Sequence, residues 1–267
     1  MIIYPDQGAG MCNRLHAAAN LIAHSEMSGN PLLLCSLRKY NRYFDGLPDK
    51  GIFAFSPTEK RAVRFRKPFS FLRSGVFPTG AIHFNDPVVK RAEEAALMVL
   101  VGWRFRDTEA LLKHGDLVRS IFVPTGVYSE VISRKVVGAR EGADNLVGVH
   151  IRRGDYKSYR DGVLYYDDEI YTSAMRLVVN NLKGKTRFLV ASDEPIDPGS
   201  FGGCFVVAAP GHELEDLYCL AGCDYIIGPS STYSAWAAFY GNAPLWQFDR
   251  DAVRDENIVF KKVSGTR

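Results

Sequence analysis

Residues His150-Ile151-Arg152-Arg153-Gly154-Asp155-Tyr156 set two guanidinium groups just past the short, apolar, β-branched run Asn145 to Ile151. Such a run reads as a central parallel strand, and the arginines and glycine that stop it read as a loop at its carboxyl end. Ligands of open α/β sheets collect at those ends. Paired arginines there present a fork of donors matched to a phosphate or diphosphate. The competing reading is structural, with Arg152 and Arg153 held in salt bridges to Asp155 and Asp161.

Three further segments carry usable chemistry. Gly228-Pro229-Ser230-Ser231-Thr232-Tyr233-Ser234 follows a strand and opens an apolar helix, so it supplies hydroxyls and free backbone N–H groups at a helix start. That end attracts phosphate through its amides and its dipole, although plain N-capping would account for one of the hydroxyls. Ser192-Asp193-Glu194-Pro195 ends another strand, where Ser192 and Asp193 could meet a base or a ribose hydroxyl. Asp216, on the helix before the last strands, is a second acidic candidate; taken alone, either acid reads as a cap or surface residue. Gly8-Ala9-Gly10 with Asn13 permits close backbone approach to a ligand. The lysine of a P-loop is missing there.

The elements that must position these residues alternate. A strand at Met1 to Tyr4 leads into a helix from about Leu15 to Ser28, closed by Gly29-Asn30-Pro31, and a strand at Leu32 to Cys35. From Ser36 to about Thr79 no period holds, and irregular or short elements are expected. Asp86-Pro87 starts a helix over 88–96, then a strand runs from Leu97 to Val101 and helices over 108–114 and 127–137. After the arginine strand come a helix at 168–181 and strands at 187–191 and 204–207. A helix at 213–222, a strand at 225–227 and a helix to about Tyr240 follow. The alternation implies parallel βαβ units. The loose stretch Gly138 to Asp144 suggests domains at 1–140 and 141–250, with a C-terminal tail at 251–267.

Bulk properties exclude several classes. At 267 residues, with 46% apolar and 24% charged residues, the chain has the composition of a globular α/β protein. A net charge of +3 gives no argument for nucleic acid. Lys60, Arg61, Arg64, Arg66, Lys67 and Arg73 interleave with Phe65, Phe69 and Phe71. That patch could touch an anionic acceptor or a membrane surface, though a solvated connection with snorkelling side chains explains it too. Five cysteines, an odd number, suggest reduced thiols, and Cys219 and Cys223 at i, i+4 read as core packing. The longest apolar run is too short to span a bilayer, and the first residues lack signal-peptide character, so a cytoplasmic location is expected.

In order along the chain, these motifs resemble those of the fucosyltransferase superfamily that uses GDP-fucose, the bacterial α-1,2-fucosyltransferases in particular. Gly8-Ala9-Gly10-Met11-Cys12-Asn13-Arg14 is similar to the family's amino-terminal glycine turn, with extra spacing. Leu100-Val101-Gly102-Trp103-Arg104-Phe105 resembles its mid-chain strand and turn. His150 to Tyr156 matches its hallmark in full. Tyr165 to Met175 and Ser192-Asp193-Glu194 follow, then the closing block Asp216-Leu217, Cys223, Ile226-Ile227 and Ser231 to Trp236. Glu194, Tyr233 and Ala235 depart from the family's usual aspartate, phenylalanine and tryptophan.

The resemblance implies a GT-B-like α/β fold, two Rossmann-like domains facing across a cleft with the donor nucleotide on the second. It implies an inverting transfer of fucose from GDP-fucose to a glycan acceptor, α-1,2 to a galactoside. An α-1,6 or protein-directed enzyme and a non-catalytic nucleotide-sugar or glycan-binding protein are the alternatives. By resemblance Arg152 meets the β-phosphate, Arg153 steers or holds the loop, and Asp155 orders the arginines. His150 binds the sugar-phosphate or orients the loop, with a role as base the lesser alternative. Ser231, Thr232 and Tyr233 meet phosphate oxygens, Asp216 the guanine or ribose edge, and Asn13 reaches in from the first domain. Asp155, Asp168, an acid of the first domain and a leaving-diphosphate oxygen compete as base. With arginines neutralising the diphosphate, no metal or other cofactor is expected. Asp249-Arg250-Asp251, an Asp-x-Asp, is expected to be a surface turn.

Overall fold

The computed structural model describes residues 1–5, 9–48, 53–56, 60–64, 76–77, 98–100 and 105–263. The expected helix over 88–96 and residues 101–104 of the mid-chain motif lie outside them, as do Gly8, Phe65, Arg66, Lys67, Phe69, Phe71 and Arg73. The chain divides into two compact units between Thr125 and Gly126.

The first unit is built on a sheet of strands β1 (Ile2–Tyr4), β2 (Leu32–Leu34), β3 (Phe53–Ser56), β4 (Arg61–Arg64), β5 (Val76–Phe77) and β6 (Met98–Leu100). Their order is β4-β3-β2-β1-β6-β5. The inner strands are parallel, whereas β3 and β4 run antiparallel as a hairpin on the outside of β2. Short elements thus occupy part of the segment that lacks period in sequence. Helix α1 (Met11–Ser28) has its N-cap at Gly10 and closes on Gly29 at φ 74°, a left-handed conformation that glycine adopts without Cβ strain. It packs on helix α2 (Thr108–Ile121). The Asp107 carboxylate caps α2 through the Ala110 N–H at 3.0 Å and pairs with His24 Nδ1 at 2.8 Å.

In the second unit, helix α3 (Gly126–Arg140) precedes strand β7 (Asn145–Ile151). Helix α4 (Asp168–Asn181), β8 (Thr186–Ser192) and β9 (Val206–Ala208) follow, then helix α5 (Glu213–Ala221) and β10 (Tyr225–Gly228). Helix α6 (Thr232–Gly241), β11 (Leu245–Gln247) and helix α7 (Arg250–Arg254) complete it. Sequence reading puts α3 in the first domain, but it packs on α5, β7 and β8, so the loose stretch after it is an internal connection of the second unit.

All five strands of this sheet are parallel, in the order β11-β10-β7-β8-β9. The chain leaves central β7 toward β8 and β9, then returns to lay β10 and β11 on the other side. The switch therefore falls between β7 and β10, the crevice where doubly wound sheets take nucleotides. Strand β7 is buried from Leu146 to Ile151, as a central parallel strand covered on both faces should be. Gly148 lets α5 approach: a Cβ there would stand 2.9 Å from Leu220 Cδ2 and 3.2 Å from Cys223 Sγ.

The expected tail is partly structural. Asp249 caps α7, accepting from the Ala252 N–H at 2.8 Å, and so opens a short helix rather than a simple turn. Lys261 then exchanges two 2.9 Å backbone hydrogen bonds with Leu245, and Phe260 packs on Tyr225 with ring centroids 4.9 Å apart.

Candidate active site

Register places the candidate residues of the second unit side by side. Ile227 pairs with Val149 and Ile151 with Ser192. The carboxyl ends of β10, β7 and β8 therefore open together, carrying the serine loop, the arginine loop and the Ser192-Asp193 turn. Gly228 fits against β7 because it lacks a side chain: a Cβ would lie 2.8 Å from the His150 carbonyl oxygen.

The two arginines differ sharply. Arg153 is locked in place. Its Nε donates to the Tyr166 carbonyl at 2.9 Å, its Nη2 pairs with Asp168, and its guanidinium lies over the Tyr171 ring at 5.6 Å. Its side chain is 13% exposed. Arg152 is more open, at 35%. It donates twice to Asp155, Nε to Oδ1 and Nη2 to Oδ2, each at 2.9 Å, and stands 5.1 Å over the Tyr156 ring. This pairing raises the Arg152 pKa and lowers that of Asp155, the shared hydrogen bond being the leading cause for each. The structural partners are thus Asp155 and Asp168, not Asp161. Asp168, a base candidate by sequence, is engaged in holding Arg153.

Asp193 also serves the loop. Its Oδ1 accepts from the Arg153 N–H at 2.8 Å and its Oδ2 from the Gly154 N–H at 3.2 Å. The carboxylate thus clamps the backbone beneath the arginines. Ser192 Oγ accepts locally from the Glu194 N–H at 3.2 Å. Lys157 and Glu194 add a tie at 2.7 Å across the same loop.

His150 is 5% exposed and stacked on Tyr233, ring centroids 4.8 Å apart. Burial, aided by the Arg152 charge, pushes its pKa down to about 3. So weak a base does not suit proton abstraction near neutral pH. Its Nδ1 is buried without a hydrogen-bond partner. The loop after β10 forms the expected helix start: Ser231 is the N-cap of α6, its Oγ accepting from the Tyr233 N–H at 3.2 Å, with Thr232 at the first helical position. Tyr233 Oη donates to the Glu213 carbonyl at 2.8 Å.

Asp216 is buried in the first turn of α5, and its Oδ1 accepts from the Gly211 N–H at 2.8 Å. Burial raises its pKa to about 6. In the first unit, Asn13 lies half-buried in the opening turn of α1. Among the described residues no group of His, Cys, Asp and Glu is placed to hold a metal ion. Nor is any described helix long and apolar enough to cross a membrane.

The tyrosines of this site stand within the sequence motifs, but the sequence assigned them no role. Tyr156, Tyr166 and Tyr171 are all buried around the arginine loop. Their density just after the arginine pair was a usable signal, since buried guanidinium groups pack on aromatic faces.

No known family profile matches the chain. A galactoside 2-alpha-L-fucosyltransferase of Caenorhabditis elegans is 22% identical over 201 residues, 70% of this chain; the chain spans 55% of that relative's length. Among solved structures, a mutant of Arabidopsis thaliana FUT1 in complex with GDP superposes with a TM-score of 0.58 at 12% identity. That match covers 97% of this chain and 73% of the other. NodZ alpha-1,6-fucosyltransferase soaked with GDP-fucose, a Bradyrhizobium protein, gives 0.59 at 15% identity and 98% of both chains. These superpositions show a shared fold: the chain has the α/β architecture of these solved fucosyltransferases, and the curated relative adds a remote similarity in sequence.

Proposed function

We propose that this chain is a glycosyltransferase that moves fucose from GDP-fucose to a hydroxyl of a glycan acceptor, with inversion at the anomeric carbon. The observation that carries the reading is the convergence of a half-open guanidinium and a helix N-terminus at the switch point of a parallel sheet. As the glycosidic bond breaks, charge grows on the departing diphosphate, and donors already in place stabilise it without reorganisation. Arg152 is the candidate for that contact because it is the more exposed of the two, whereas Arg153 is mostly buried and engaged by Tyr166 and Asp168. In this reading Ser231 and Thr232 offer hydroxyls, with Tyr233, at the helix start, and Asp216 adds a donor contact within the same unit. Asp193 and Ser192 shape the loop, and His150 is a neutral packing surface rather than the base.

The linkage proposed is α-1,2 to a galactoside, on the strength of the sequence relative. The α-1,6 alternative draws support from the NodZ fold. An acceptor screen with linkage analysis separates them. The donor reading is tested with GDP-fucose, GDP-mannose, UDP-galactose and ADP-heptose. GDP-fucose alone should turn over, and Arg152→Ala should lower kcat by about 10²–10³-fold, the usual cost of removing one such donor. Turnover unchanged by that substitution would remove Arg152 from the mechanism, and GDP binding without any transfer would favour a binding protein.

A further inference from the structure

Tyr156 joins the two halves of the candidate anion site. The sheet ladder pairs β7 with β10 as far as Val149 and Ile227, and the loops leave the strands after Ile151 and Gly228. Tyr156 crosses this gap. Its Oη donates to the Ser230 carbonyl at 3.0 Å, in the loop that starts α6. Ser231, the N-cap itself, is the next residue along. The Tyr156 ring lies under the Arg152 guanidinium at 5.1 Å. The side chain is 8% exposed, and stacking on Tyr159 at 5.8 Å leaves it little freedom to swing.

We infer that Tyr156 is a positioning residue that sets the distance between Arg152 and the N-terminus of α6, so that both act on one diphosphate. The inference rests on the donor reading above. An arginine and a helix end stabilise the same developing charge best when neither must move, and an error near 1 Å in such placement is costly in rate. Lys157 instead reaches Glu194 and Tyr159 stacks on Tyr156, whereas the Tyr156 hydroxyl ties the arginine loop directly to the serine loop.

The test is a double-mutant cycle between Tyr156→Phe and Arg152→Ala, read as kcat with GDP-fucose and as Kd for GDP by calorimetry. Tyr156→Phe keeps the ring beneath Arg152 and removes only the tie. It should lower kcat about 10-fold and weaken GDP about 3-fold, leaving Tm within a degree of wild type. In the Arg152→Ala background the same change should have almost no further effect, because the residue acts through the arginine. A merely structural tyrosine would cost the same in both backgrounds, and that result, or wild-type kcat and Kd for Tyr156→Phe, overturns the inference. Tyr159→Phe, which keeps its stack, serves as the control and should behave as wild type. A wild-type protein that binds GDP with this coupling but transfers no fucose defeats the enzyme reading and leaves the positioning role standing. One that binds no GDP defeats both.

Discussion

Arg152 and Arg153 are adjacent, chemically identical and differently used. Arg153→Ala removes bonds to the Tyr166 carbonyl and Asp168 from a side chain 13% exposed, so stability should fall by about 1–3 kcal/mol in urea titrations. Arg152→Ala breaks a more exposed pair with Asp155, and its effect on stability should stay within about 1 kcal/mol while turnover collapses. A reversed pattern would exchange their roles. Asp216 permits a second test. Its pKa is raised to about 6 by burial, so between about pH 4 and pH 6 the folded state binds more protons than the unfolded state. The native Asp216 thus penalises stability increasingly as pH rises through that window. Asp216→Asn should be more stable than wild type above pH 6, with the gain gone below pH 4, as urea midpoints across that range would record. His150 works in the opposite sense: its lowered pKa costs stability as pH falls below about 6.5.

At the scale of elements, the sequence was most legible where patterning and turn chemistry coincide. The helix at Asp168–Asn181 is the one expected, because Asp167 caps it and its apolar face recurs at helical spacing. The β10 to α6 turn was readable for the same reason: Gly-Pro ends a strand and Ser231 begins a helix. The hairpin β3–β4 was not, since its four-residue strands carry Arg61 and Arg64 and show no long apolar alternation. Strand β9 begins two residues later and ends one later than the run suggested, since Phe188 N–H reaches the Phe205 carbonyl and Phe188 pairs with Val206, a register that only the finished sheet specifies. The site followed the same rule. Arg152, Ser231 and their loops could be named from residue type, but the work of Asp193 and Asp168 depends on contacts across 40 and 15 positions. Gly228 is the element-scale test. Alanine there must push against the His150 backbone, so Gly228→Ala should cost about 1–3 kcal/mol and also depress turnover by parting β7 from β10. Full activity in that variant would mean the strand ends tolerate separation.

Across the whole molecule, each unit carries its own sheet, and every described candidate except Asn13 falls in the second. That the arginine strand is central followed from its apolar run; that it borders the switch point followed only from the strand order. Burial drives the Cys219 pKa up to about 12, so that thiol should resist alkylation in the native state. The paired strand end at Leu245 and Lys261 has a larger consequence. Those last residues shield one margin of the five-stranded sheet, and Phe260 covers Tyr225 and Trp246. A chain trimmed after Phe248 would bare the Leu245 N–H and carbonyl beside oily rings, an invitation to self-association. Light scattering should register aggregates from the shortened protein at concentrations where the full chain stays clear.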